Sequence, residues 1–214
     1  MLLRLYQSPR STQDVDFVLV TNESRKIWKE KITEDLEREG ILVEHVEMNS
    51  RGIFFDIQDE SKTQKAQIEI SIKSSTDLKP EAISTAMLSS KYHLSGRIIS
   101  SMAISEAFSH KIAASLERDA TRDFFDLSQF EDLGTFDVST LRNRLSKLVI
   151  GKAKPRSVSF QEAAEMLRKK LEVLDQKKIE KDLYPLLPIE YRAGILGTIR
   201  ASVSRTIRKI EPLS

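Results

Sequence analysis

The sequence predicts an α+β fold: a small mixed sheet with flanking helices, followed by a helical carboxy-terminal region. Three observations predict it. Apolar side chains alternate with a period of two mainly in the first third of the chain, and after Pro80 they recur at helical spacing instead. The charge then changes sign, since residues 1–150 carry 20 basic and 24 acidic side chains whereas residues 151–214 carry 14 and 8. An acidic segment followed by a basic one is the pattern of a catalytic or metal-binding region joined to a surface for a polyanion, and equally that of a tail with a hydrated cationic face.

Composition narrows the function classes. With 214 residues, 40% of them hydrophobic and 31% charged, the chain is globular in composition, outside the disordered and membrane classes. No apolar run approaches the ~18 residues of a membrane span. The absence of cysteine excludes disulfide scaffolds, thiolate zinc sites and cysteine nucleophiles, and it suits a reducing, cytoplasmic setting. Only His45, His93 and His110 are present, isolated from one another, so carboxylates are the natural ligands of any metal. Such ligands favour a hard cation such as magnesium, with manganese as a substitute.

The elements follow in order. Val15–Val20 reads as a strand, and residues 24–38 as a helix with Ile27, Trp28, Ile32 and Leu36 on one face, stopped before Gly40. Residues 41–48 and 53–57 are apolar runs around Asn49-Ser50-Arg51-Gly52, which predicts an antiparallel hairpin. Residues 66–72 form a further strand, with Ile68, Ile70 and Ile72 on one face and Gln67, Glu69, Ser71 and Lys73 on the other. A short strand is expected at 97–101, then helices at 104–118, 122–130, 139–150, 160–174 and 189–210. The stretch Gly151–Ser157 contains Gly and Pro and has no periodicity, so it reads as a linker.

Two strings carry chemistry. In Arg10-Ser-Thr12-Gln-Asp14-Val-Asp16-Phe, two carboxylates two residues apart open an apolar strand, and alternation puts both on one face. Like charges held together call for a cation or a proton, so the pair reads as a divalent-metal seat or as two solvated acids at a strand edge. Glu69, midway along a second strand, is placed to join them or to pair with a lysine. The second string runs from Glu106 to Asp126. In it Lys111 and Arg118 are seven residues apart on one helix, and Arg122 and Asp126 four apart on the next. It reads either as a phosphate grip or as intrahelical ion pairs.

Taken together, Arg-Ser-Thr-x-Asp-x-Asp-Phe, the Ile-Glu-Ile strand and Lys-x6-Arg-x3-Arg-Asp-x2-Asp resemble the AbiEii-type nucleotidyltransferase toxins of type IV toxin–antitoxin and abortive-infection systems. The motifs cover residues 1–150. The resemblance implies a minimal nucleotidyltransferase core at 1–102, a helical segment completing the active site at 103–150, and a basic helical region at 151–214. It implies a magnesium-dependent transfer from an NTP, with tRNA as the favoured acceptor, and a cognate antitoxin. Asp14, Asp16 and Glu69 become the metal ligands, the last standing where many relatives have Asp. Lys111 becomes the triphosphate contact and Asp126 an essential acid, while Arg10, Thr12, Arg118, Arg122 and Asp123 support the nucleotide or its surroundings. Relatives begin with a Gly-Gly-Ser or Gly-Gly-Thr turn that cradles phosphate, whereas here Met1–Leu5 resembles the helix after it. The expectation is a start assigned late, or else a copy without the cradle. In the latter case the chain is a binding remnant of the fold, and transfer to a protein hydroxyl is a further alternative.

Trp28, Phe54, Phe55, Phe108, Phe124 and Phe125 sit at apolar spacing and are expected in the core rather than stacked on bases. Toward the carboxy terminus, Arg200, Arg205, Arg208 and Lys209 lie beside an apolar stripe of Ile195, Leu196, Ile199, Val203 and Ile207. One face of that helix is expected to pack while another meets RNA phosphates or solvent.

Overall fold

A computed structural model describes residues 2–12, 14–50, 52–59, 61, 65–75, 79–151 and 153–213. The chain divides into two compact units, a sheet unit of Ser11–Thr76 and a helical unit of Leu2–Arg10 with Asp77–Ser214. The helical unit thus includes residues 79–102 together with the basic tail.

After a single helical turn, α1 (Leu2–Leu5), come β1 (Asp14–Val20), α2 (Arg25–Arg38), β2 (Leu42–Met48), β3 (Gly52–Gln58) and β4 (Lys65–Lys73). The sheet order is β1-β4-β3-β2, with β1 parallel to β4 and the other pairs antiparallel. The parallel pairing requires the crossover that α2 and the β2–β3 hairpin supply. The carboxy-terminal end of α2 is closed by Gly40 at φ 76°, with Ile41 N–H donating to Leu36 O at 2.9 Å and Gly40 N–H to Glu37 O at 3.1 Å. That is the reciprocal pair of bonds a left-handed glycine permits. At the other end Arg25 donates to the carbonyls of Asn49 and Ser50, tying α2 to the hairpin turn; Arg51 of that turn lies outside the described residues.

Alternation divides the sheet cleanly. Ile53, Phe55 and Ile70 are buried at 0%, 0% and 6% exposure, and Trp28, Ile32 and Leu36 of α2 pack against them. The other face carries Asp14, Asp16, Gln67, Glu69, Phe54 and Asp56 by register. Phe54 therefore departs from the expected core role: it pairs across β3 and β4 with Glu69 and lies on the polar side.

The helical unit holds β5 (Glu81–Ser84), α3 (Ala86–Ser90), β6 (Ile98–Ser101), α4 (Ile104–Glu117), α5 (Thr121–Leu133), α6 (Val138–Leu145), α7 (Phe160–Glu172), α8 (Gln176–Asp182) and α9 (Ile195–Ile210). Its core is built on Phe108, Ile112, Leu116, Leu141, Leu167 and Ile199, all at 0% exposure, with Phe108 stacked on Phe130 at 5.6 Å. Asp137 and Ser159 cap α6 and α7, accepting from Thr140 N–H at 2.7 Å and Glu162 N–H at 3.1 Å.

The helix expected to reach residue 150 stops at Leu145, after which Leu148 and Arg156 exchange two backbone bonds of 2.9 and 3.0 Å. The stretch expected as a linker is thus a loop pinned inside the helical unit, its Lys152 lying outside the described residues. The last helix begins at Ile195 rather than Ile189: a 3-10 turn at Ile189–Tyr191 and a left-handed Gly194 at φ 70° interrupt it. Helix α8 was not foreseen, since Ile179 is its one buried residue and no apolar stripe announces it.

Gly52 makes the sheet's tightest approach, because a Cβ there would stand 2.4 Å from the backbone oxygen of Ile70 and 3.1 Å from its carbon. Gly52→Ala is expected to destabilise the fold by about 1–3 kcal/mol, read by urea or thermal denaturation. Gly134→Ala, with nothing within 4 Å of its added carbon, is expected to stay within about 0.5 kcal/mol of wild type.

Candidate active site

The sheet unit contributes an acidic face. Parallel register sets Asp16 directly beside Glu69 and Asp14 beside Gln67, so three carboxylates occupy the same face of two adjacent strands. Neighbouring strands lie about 4.8 Å apart. Asp14 and Asp16 are exposed and Glu69 is half-buried. The Thr12 hydroxyl accepts from Asp14 N–H at 3.3 Å, a local turn that sets the chain's entry into β1. Among the described residues no three carboxylates or imidazoles yet converge on one point. In donor chemistry and strand position, however, the set fits a hard divalent cation, which takes oxygen ligands.

The helical unit contributes a chain of alternating charge. Asp123 and Asp126, three apart on α5, are 0% and 2% exposed. Two buried carboxylates on one helix face repel each other and lose hydration, so they persist as anions only with cations and hydrogen bonds around them. Lys111 of α4 stands between them, its Nζ 3.1 Å from Asp123 Oδ1 and 3.0 Å from Asp126 Oδ2. Arg10 closes the outer side of Asp126 with two bonds of 2.9 and 3.1 Å, and Arg118 closes Asp123 with two of 2.6 and 2.8 Å. The five side chains carry a formal net charge of +1. An ammonium has three donors, and Lys111 commits two, leaving one for a ligand.

Burial alone would raise the Asp123 pKa, but the Arg118 hydrogen bonds, with the charges of Lys111 and Arg118, outweigh it and hold the carboxyl below the usual range. The same contact raises Arg118 above its ordinary value. Behind Arg118 lies a residue that sequence reasoning missed. Lys170 of α7 donates to the carbonyls of Ser115, Leu116 and Arg118 at 2.9, 3.1 and 2.7 Å. These carbonyls lie at or beside the end of α4, where helical partners run out and the dipole is negative. Burial pushes Lys170 below the ordinary lysine value. Nothing in the spacing of the sequence marks a lysine on α7 as the cap of α4.

The sequence-predicted residues thus divide between the units. Asp14, Asp16 and Glu69 share the sheet face, with Thr12 at its entry. Arg10, Lys111, Arg118, Asp123 and Asp126 form one connected network. The nine-residue span Leu2–Arg10 belongs with the helical unit although the motif that Arg10 opens continues into β1. Arg122 is exposed and stands outside the network. The i,i+4 pairing open to Arg122 and Asp126 is not the one adopted, and Arg118 lies past the last turn of α4 in extended conformation, where it can turn back to Asp123. His110 approaches the buried Glu106 at 3.6 Å, away from these contacts in chemical role.

A family model described as nucleotidyl transferase AbiEii toxin, type IV toxin–antitoxin system, matches residues 1–197. Among solved structures, the fold is similar to MenT4, a nucleotidyltransferase toxin from Mycobacterium tuberculosis H37Rv, with a TM-score of 0.64, 16% identity, and coverage of 99% of this chain and 72% of that one. JHP933 from Helicobacter pylori is more distant, at a TM-score of 0.47, 15% identity, and coverage of 97% and 83%. Comparison with curated protein sequences finds no significant match.

Asp123→Asn leaves Arg118 and Lys111 without their buried anion, and at pH 7 it is expected to cost about 3–5 kcal/mol. The folded carboxyl has a depressed pKa, so its contribution to stability is fully present above the unfolded value near 3.8 and is lost as pH falls through the lower folded value. Denaturation from pH 7 down to pH 2 should therefore show the gap between wild type and variant narrowing only below about pH 4.

Proposed function

We propose that this chain, which belongs to the AbiEii family of nucleotidyltransferase toxins of type IV toxin–antitoxin systems, transfers a nucleotide from an NTP to an RNA acceptor, tRNA foremost, with magnesium as cofactor. The observation that carries the reading is the register of β1 against β4, which sets Asp16 beside Glu69 with Asp14 on the same face. Residues 1–102 serve in it as the nucleotidyltransferase core, 103–150 as the segment that supplies Lys111 and Asp126, and 151–214 as the basic, RNA-facing region.

In the reaction the acceptor hydroxyl oxygen attacks the α-phosphorus, the bond to the β-phosphate oxygen breaks, and pyrophosphate leaves with the bonding electrons. Asp14, Asp16 and Glu69 would hold the metal, which supplies charge neutralisation and a more acidic hydroxyl when bound. Lys111 directs its remaining donor at the charge that develops on the leaving phosphates. Asp123 and Asp126 keep its ammonium fixed from two sides, and Arg10 and Arg118 fix those carboxylates in turn. Asp126 is essential in this scheme because its loss would free both Lys111 and Arg10. Arg122, exposed on α5, is available as an additional nucleotide contact.

The RNA reading is supported by the net charge of +6 over residues 151–214. Cytoplasmic action is supported by the lack of cysteine, and no helix among the described residues is long and apolar enough to cross a membrane. Membership of a type IV toxin–antitoxin family supports a cognate antitoxin as functional partner.

Incubation with each radiolabelled NTP, magnesium, and either total RNA or total protein is expected to label RNA, and manganese should substitute for magnesium while EDTA abolishes transfer. Label on protein instead would replace the RNA acceptor by a protein hydroxyl. Asp14→Ala, Asp16→Ala, Lys111→Ala and Asp126→Ala are each expected to lower transfer by about 100-fold or more. Asp16 is exposed, so its variant should melt like wild type, and unchanged transfer by that variant would contradict the metal assignment.

A further inference from the structure

The basic carboxy-terminal part of the helical unit carries a groove of about 690 Å³ between α7 and α9. Arg168, Arg200, Arg205 and Arg208 line it, with Ala201 and Ile207 among the residues between them. Their surroundings separate the four arginines into two kinds. Arg168 is tied to Glu165 and Glu211, and Arg205 to Glu131 and Asp132. Among the described residues Arg208 has no acidic partner, and Arg200 spends one N–H on the carbonyl of Leu174 at 2.8 Å and none on an acid. Both are exposed. Glu172 is the one carboxylate among the described residues of the groove wall.

A cationic helix surface meant only for solubility needs no groove, and its charges are ordinarily balanced along the same face. Here two guanidinium groups stand without acids at the same groove, eight residues apart on α9, or about 12 Å along its axis. The small side chain of Ala201 leaves room between α7 and α9, and the neighbouring arginines are held in place by their acids. A guanidinium offers a fork of donors matched to phosphate oxygens. Separated cations along one groove suit a chain of phosphates better than a single compact anion.

We propose that the α7–α9 groove binds the phosphodiester backbone of the RNA acceptor, with Arg200 and Arg208 as its phosphate contacts. The groove shares no residue with the Lys111 network or the acidic sheet face, so it governs acceptor affinity and not the chemical step. This rests on the RNA reading of the acceptor, yet it is tested by binding alone.

The test titrates wild-type protein and Arg200→Gln/Arg208→Gln with bulk tRNA over a range of salt concentrations, without NTP. Neither side chain pairs with an acid among the described residues, and the one bond removed is that of Arg200 to the Leu174 carbonyl, so the double variant should stay folded and melt no more than a few degrees, about 5 °C, below wild type. Its tRNA affinity is expected to fall on the order of tenfold per arginine at low salt. The slope of log affinity against log salt should become shallower by about 1.4–1.8, which is about 0.7–0.9 for each phosphate that the variant no longer neutralises. An unchanged affinity and slope would overturn the groove assignment. So would polyglutamate of similar length competing for the groove as well as tRNA does, since the surface would then be a general acidic-polymer site or one for an acidic protein segment. If the arginines govern tRNA binding and RNA is nevertheless never labelled, the transferase reading of the acceptor fails while the groove stands.

Discussion

Two aspartates buried three residues apart on one helix set the terms for much of the helical unit. Asp123 and Asp126 have almost no access to water, so their charges persist only because Lys111 reaches both and an arginine closes each from outside. The requirement spreads outward. Arg10 must leave the amino-terminal segment for α5, 116 residues away in sequence. Arg118 must break from α4 and turn back, and Lys170 must cross from α7 to cap the carbonyls thereby exposed. A network this connected resists piecemeal change, because removing one partner leaves another charge buried and unpaired.

Such a network also suits a catalytic cation. A surface lysine samples many rotamers, and fixing it on a ligand costs entropy at each binding event. Lys111 is already fixed by two carboxylates and keeps one donor, so in the proposed transfer its orientation would be set before the nucleotide arrives. The sheet unit shows a different economy. Its acids stand on an otherwise ordinary polar face, exposed or half-buried, because a strand delivers side chains to one side at every second residue without further support.

Chain-local features were legible in the sequence. The alternation in Val15–Val20 and residues 66–72 located β1 and β4 and put Asp14, Asp16 and Glu69 on polar positions, and Gly40 marked the end of α2. The resemblance to the AbiEii family was legible as well, because its motifs are short and contiguous. Phe54 was misplaced because an aromatic beside an apolar neighbour does not reveal which of two faces it takes. Helix α8 was missed because a helix burying one residue has no stripe to detect. The helix expected from residue 189 overran because Ile189 and Tyr191 have apolar side chains yet are exposed in a 3-10 turn, where spacing mimics a helix face.

The sequence by itself therefore determined the alternating faces of the strands, the stripes of the longer helices and the family, all of which depend on residues within a turn or a strand length of each other. Tertiary structure alone decided that β1 runs beside β4, and that Lys111 lies between two carboxylates of another helix. It also decided that Arg10 rather than Arg122 neutralises Asp126, and that two arginines of α9 stand without acids among the described residues. These outcomes follow from which surfaces meet when distant segments pack. A charge finds its partner by proximity in space, and sequence spacing fixes that proximity only within a single helix or strand.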